Sequence, residues 1–164
     1  MSEDGAVNLS HIDEQGRAQM VDVSAKAQTK RVALATGTVR TTREVIELIS
    51  SCGLPKGEAL QVARVAGIMG AKRTPELIPL CHTLLLSGVE VEFELAESAV
   101  HISARVKTSG QTGVEMEALT AVSVAALTVF DMIKAVDKAA VLTDIRVEHK
   151  SGGKSGEWVR DERN

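Results

Sequence analysis

The chain is expected to fold as an α+β domain, and three observations carry that expectation. Residues 88–95 and 100–107 alternate apolar and polar side chains with a strict period of two. A long run ending near Lys138 instead repeats its apolar residues at three- and four-residue steps. Short extended segments flank the helical ones, giving the order strand, helices, two antiparallel strands, helix, strand.

Taken along the chain, MVDVS (20–24) and VALATGTV (32–39) are short extended pieces. TTREVIELISS (41–51) opens with threonine caps, spaces Val45, Ile46, Leu48 and Ile49 helically, and ends near Gly53 and Pro55. A second helix runs from Gly57 to about Lys72, with Ala63, Ala66, Gly67 and Gly70 forming a small-residue face that lets another element approach closely. Val89, Val91, Phe93 and Leu95 alternate with Glu90, Glu92 and Glu94; Val100, Ile102, Ala104 and Val106 alternate with His101, Ser103, Arg105 and Lys107. These two segments form a hairpin that sets acid against base. Leu119, Val122, Ala126, Phe130 and Ile133 mark the long helix, and VLTDIRVEH (141–149) is the last strand. This order is that of a ferredoxin-like antiparallel sheet with helices packed on one face.

The bulk numbers narrow the function classes. The 164 residues are 44% hydrophobic and 25% charged, enough for one real core. Two Phe, one Trp and no Tyr leave that core aliphatic and remove the stacking platforms of single-strand nucleic-acid binders. A net charge of −3 supplies no bulk attraction to nucleic acid or to an anionic membrane. The acidic N-terminus has neither signal- nor transit-peptide character, and no apolar stretch is expected to reach the length of a bilayer span. Cys52 and Cys81 form no CxxC and are expected as free thiols. The expected compartment is the cytoplasm.

Four clusters can carry chemistry. In GVEME (113–117), residues two apart share a face on a strand but diverge on a helix. Gly110 and Gly113 favour extended backbone, which would aim Glu115 and Glu117 together; otherwise Glu117 merely complements the positive end of the coming helix. Asp131, Lys134 and Lys138 stand at i, i+3 and i+7, the spacing of a surface ion-pair stripe. The apolar neighbours Phe130 and Met132 point instead to a partly buried carboxylate tuned beside a lysine, as in acid/base pairs. Cys81-His82 lacks the paired spacing of a zinc site and reads as part of a strand entering the core. KSGGKSG (150–156) is no Walker A loop, because Glu148 stands where the first glycine belongs. Its glycines, lysines and serines form either an anion cradle or a mobile tail. Helix from Glu117 to Asp131 would span about 21 Å, so one small-molecule site using both requires two subunits. Scattered lysines, carboxylates and a histidine, with no metal cage, suit a polyanionic small molecule handled by acid/base chemistry.

MVDVSAK (20–26), AGIMGAKRTPELIPLCHTLLLS (66–87), TGVEMEALTAVSVAALTVFDMIKAVDK (112–138) and KSGGKSGEW (150–158), in this order, resemble the cyclic pyranopterin monophosphate synthase family, the molybdenum cofactor biosynthesis accessory protein C family. The similarity runs from about Leu9 to Trp158. Thr83 and Phe130 depart from it, standing where the family usually has Pro and Tyr. Residues 1–18 carry no periodicity and read as a flexible arm, with a tail at 159–164; between them the resemblance implies a single catalytic domain at 19–158. It further implies a homohexamer built as a trimer of dimers, with active sites at dimer interfaces. The implied substrate is 3′,8-cyclo-7,8-dihydroguanosine 5′-triphosphate, rearranged to a pyranopterin cyclic phosphate with release of diphosphate. Asp131, Lys134 and Lys150 are then the catalytic set. Leu80, Cys81, His82, Glu115, Met116 and Glu117 line the base and ribose region, and Lys56, Lys72 and Lys154 serve the phosphates. No cofactor or resident metal is implied, though Mg2+ can accompany the triphosphate. The competing expectation is a non-catalytic ferredoxin-like module that binds a nucleotide as a signal. It predicts exposed, dispensable carboxylates.

Overall fold

A computed structural model describes residues 15–161. The elements are β1 (Thr29–Arg40), α1 (Arg43–Ser50), α2 (Ala59–Lys72), α3 (Thr74–Leu77), β2 (Leu86–Leu95), β3 (Ala99–Gly110), α4 (Glu115–Ile133), β4 (Val141–Ser151) and β5 (Trp158–Val159). The antiparallel sheet has the order β2-β3-β1-β4-β5. Without the two-residue β5 it is the split βαβ arrangement expected, so the α+β, ferredoxin-like reading holds.

Local chemistry explains most of these elements. Thr42 caps α1 by accepting a hydrogen bond from the Val45 N–H. The β2–β3 hairpin closes through Ala96 N–H to the Ala99 carbonyl at 2.9 Å. Across it Glu90 faces Arg105 in register, and the Lys107 ammonium lies 2.7 Å from Glu90. The inward side chains of the sheet, among them Ala33, Ala35, Val39, Val100, Ile102 and Ala104, are fully buried with Ala118, Ala121, Val122, Ala125 and Val129 of α4. The core is therefore made of small aliphatic groups. A Cβ on Gly67 would stand 2.9 Å from the Ala121 carbonyl oxygen and 3.2 Å from Ala125 Cβ, so glycine sets how closely α2 approaches α4.

Four expectations are corrected. MVDVS is not a strand; residues 20–23 run without regular structure into a turn closed by Lys26 N–H to the Val23 carbonyl. Residues 79–85 are not a strand either. Pro75 stands in the first turn of the short α3, Pro79 sits in the turn after it, and regular pairing begins only at Leu86. β5 crosses the expected boundary at 158, and the Arg160 N–H donates to the Glu148 carbonyl. Finally, α4 is one helix long and apolar enough, by length and composition, to cross a membrane. Ten of its 19 residues are instead buried inside the protein, where it packs on β1, β3, β4 and α2. Most of the expected N-terminal arm, residues 1–14, and the last three residues of the tail lie outside the described residues.

Candidate active site

A basic cleft of about 880 Å3 lies beside the start of α4. β1 delivers Arg31 to it, β4 delivers Lys150, and the chain before β1 contributes Lys26. Arg31 is held in place by donating from Nε to the Gly110 carbonyl at 2.9 Å and from Nη2 to the Gln111 carbonyl at 3.0 Å. Lys150 Nζ lies 3.0 Å from Glu115 Oε1. The far wall is Ser151, Gly152, Gly153, Lys154 and Ser155, so the glycine-rich segment does border a cationic hollow. Gly152 and Gly153 have φ of +96° and +74°, and a Cβ on either would overlap the Lys30 carbonyl or the Arg31 guanidinium. Only glycine lets this loop lie against β1.

A second cavity of about 340 Å3 adjoins the first, sharing Lys26, Thr112, Gly113 and Glu115. Leu80, Cys81, His82, Met116 and Glu117 line it. His82 is not a core residue: its Nε2 contacts the Val21 carbonyl at 2.7 Å, tying the irregular segment 79–85 to the chain before β1. The expectation of extended backbone through GVEME is overturned, since α4 begins at Glu115. No side chain caps this helix; Val114 occupies the cap position. Without a capping residue, nothing in the local sequence marked the start. Glu115 and Glu117 nevertheless both reach the cavity, from different sides of the first turn. Glu117 is only 3% exposed. Burial pushes its carboxyl above the usual range, its own backbone N–H opposes this, and the neighbouring Glu115 adds to it. Burial, reinforced by Glu117, likewise raises the Cys81 thiol, leaving it less reactive.

The third group stands at the other end of α4. Asp131 receives Lys134 Nζ on Oδ1 at 2.7 Å and Lys56 Nζ on Oδ2 at 2.7 Å, and Lys56 also donates to the Asp131 carbonyl at 3.0 Å. These two ammoniums, Lys134 before Lys56, hold the carboxyl down at about 2. The side chain is 52% exposed, so the expected partly buried carboxylate is corrected. Its neighbour Met132 turns inward while Asp131 faces out. Lys72, in the last turn of α2, lines neither hollow and belongs to neither group. One chain thus carries two clusters of ionisable side chains at opposite ends of a single helix, about 21 Å apart. Among the described residues, no three of the His, Cys, Asp and Glu side chains gather into a group that could hold a metal ion.

Residues 20–153 match the model of the MoaC family. The chain belongs to the MoaC family. A relative from Streptomyces griseus, named cyclic pyranopterin monophosphate synthase, is 67% identical over 93% of this chain and 86% of its own length. One from Nocardioides with the same name is 62% identical over 96% of this chain and 98% of its own. A third, from Mycobacterium tuberculosis and named cyclic pyranopterin monophosphate synthase 2, is 61% identical over 93% and 91% respectively. Part of each of the four sequence blocks lines the two hollows: Val21, Val23 and Lys26; Leu80 to His82; Thr112, Gly113 and Glu115 to Glu117; and Lys150 to Ser155. Arg31 and Gln111 line the larger hollow as well and lie outside those blocks. Arg31 sits in an ordinary strand, and only its two bonds to the end of β3 set it apart from a surface arginine.

Proposed function

We propose that this protein is a cyclic pyranopterin monophosphate synthase. It converts 3′,8-cyclo-7,8-dihydroguanosine 5′-triphosphate to cyclic pyranopterin monophosphate and diphosphate in molybdenum cofactor biosynthesis. The observation that carries this is identity above 60%, over more than nine-tenths of the chain, to relatives bearing that name. The geometry suits the chemistry. Lys26, Arg31, Lys150 and Lys154 offer cations where a triphosphate would lie, and the adjoining cavity offers a buried carboxyl and an imidazole where a heterocycle would lie. In the phosphoryl step, a substrate hydroxyl oxygen bonds to the α-phosphorus as the bond from that phosphorus to the bridging oxygen breaks. The hydroxyl proton passes to a base, and diphosphate carries away the negative charge that the cleft cations stabilise. Glu117, whose burial eases its protonation, is suited to exchange a proton; Asp131, held down at about 2, orients the ammoniums of Lys134 and Lys56 instead. Lys134 and Lys150 take the proton transfers during ring rearrangement, and Lys154 holds phosphate.

The two half-sites meet across a subunit boundary, the first group of one protomer receiving Asp131, Lys134 and Lys56 of another. A trimer of such dimers is the assembly proposed, working in the cytoplasm. Lys72 joins the phosphates only through the partner protomer. No resident cofactor is assigned; Mg2+ that screens the triphosphate arrives with it.

The test is to supply the purified protein with the cyclised triphosphate and follow diphosphate and pterin. Stoichiometric release of both supports the synthase. Ligand returned unchanged supports the binding module, whose expectation of exposed carboxylates Asp131 meets and buried Glu117 does not. In single-turnover assays Lys134→Ala should stop the chemistry and leave substrate binding largely intact; near-normal turnover would reject its role.

A further inference from the structure

The segment after the glycine loop has no part in the reaction just described, yet it is tied down with care. β5 pairs with β4 through His149 opposite Val159 and Lys150 opposite Trp158. His149 donates from Nε2 to Glu157 Oε1 at 2.9 Å. Arg160 donates its N–H to the Glu148 carbonyl and its Nε to the Val147 carbonyl, both at 2.8 Å, and its guanidinium covers the Trp158 ring at 5.6 Å from the centroid. All of these contacts except the Arg160–Trp158 stacking join the far end of the loop to the strand that begins it. Between them lie Gly152, Gly153 and Gly156, all at positive φ, with one internal hydrogen bond from Gly156 N–H to the Gly153 carbonyl at 3.3 Å. A loop with three such glycines loses much backbone freedom when it settles around an anion. Pinning both its ends shortens the free segment and removes part of that cost before ligand arrives.

We propose that Glu157–Arg160 is a latch for the anion loop, with His149, Glu157 and Arg160 acting as positioning residues that hold the loop amides and Lys154 in their phosphate-binding arrangement, while Lys150 stays fixed by its pairing with Ala33 of β1. None of the three lines the cleft, and each acts through the loop. This rests on the cleft being the phosphate subsite. The latch holds the bound and unbound loop alike to β4, so its loss lowers affinity for the polyphosphate rather than the rate of the bound complex.

Trp158 is the only tryptophan in the chain and there is no tyrosine, so intrinsic fluorescence reports the latch alone. Titrating the intact protein with inorganic diphosphate should give a saturable change in Trp158 emission. His149→Leu and Arg160→Leu should each raise the half-saturating concentration, and the KM for the cyclised triphosphate, by roughly three- to ten-fold, the weight of one hydrogen bond. The kcat should stay within about two-fold of the parent, since no latch residue meets the reacting atoms. Glu157→Gln keeps an acceptor for His149 and should behave as the parent, while Glu157→Leu should follow His149→Leu. Far-UV circular dichroism checks folding; should His149→Leu fail to fold, the exposed Glu157 pair of variants decides. An unchanged KM in the leucine variants, a loss confined to kcat, or emission deaf to diphosphate overturns the latch. A parent enzyme that binds diphosphate with the emission change yet never turns over the triphosphate overturns the synthase reading and leaves the latch standing.

Discussion

Three residues sit against ordinary expectation. Glu117 is a buried carboxyl whose ionised form is disfavoured by desolvation and by Glu115. A carboxyl raised in the folded state contributes stability that is fully present below its unfolded value of 4.5 and lost as pH rises through the folded value. Glu117→Gln should therefore raise unfolding stability at neutral pH by on the order of 1 kcal/mol, with the gain vanishing below about pH 4.5, while turnover falls steeply. Denaturant melts across pH measure it. Asp131 is the opposite case. Lys134, then Lys56, depress its carboxyl to about 2, so its contribution is present above 3.8 and lost as pH falls through 2. A carboxyl-carbon NMR titration should show a midpoint near 2 that moves up toward 3.8 in Lys134→Ala. Cys52 occupies the left-handed position after α1 at φ 54°, with Cys52 N–H to the Ile49 carbonyl and Gly53 N–H to the Leu48 carbonyl forming a Schellman end. Glycine is at ease there, so Cys52→Gly should stabilise by about 0.5–1 kcal/mol in equilibrium unfolding.

At the scale of elements, the α2–α4 contact depends on atoms that are missing. Gly70 leaves no room for a Cβ beside Val124, at 2.8 Å, and Gly67 none beside the α4 backbone. Gly67→Ala should cost about 1–3 kcal/mol, read as a lower unfolding midpoint, because α2 must shift to admit the methyl group. The regular elements were legible for plain reasons. The β2–β3 hairpin obeys a period of two because one face is buried, and α1 carries a threonine cap. The misreadings fall where the backbone obeys distant partners. Residues 79–85 follow two prolines and a histidine bonded to Val21. The start of α4 carries no side-chain cap, so no local signal marks it.

For the whole molecule, the consequential fact is that α4 separates Glu117 from Asp131. If neighbouring protomers complete one another's sites, two inactive proteins should complement. Asp131→Asn mixed with Lys150→Ala, after dissociation and reassembly, should recover about a quarter of parental activity, because half the dimers are mixed and each retains one intact site. No recovery, with mixed assemblies confirmed by mass, would place each site within one protomer. The residue types of the site were readable from the chain: Glu115, Glu117, His82, Lys150 and Lys154 do line one pair of joined hollows. The grouping of Leu80, Cys81 and His82 with Glu115 and Glu117, and the distance from Glu117 to Asp131, were also foreseeable; what the chain did not show is that Lys56, expected at the phosphates, joins Lys134 on Asp131.

Sequence alone determined the alternation of strands and helices, the aliphatic core, the family and the ionisable residues, because periodicity, composition and long motifs are local properties of the chain. Tertiary structure alone decided that Glu117 is buried while Asp131 is half exposed, that Lys56 reaches Asp131, that Arg31 is fixed beside the cleft, and that β5 pairs with β4 beyond the glycine loop. Each of these depends on segments far apart in the chain meeting in space, and both the desolvation of a carboxyl and the pairing of a charge are set by what has come near.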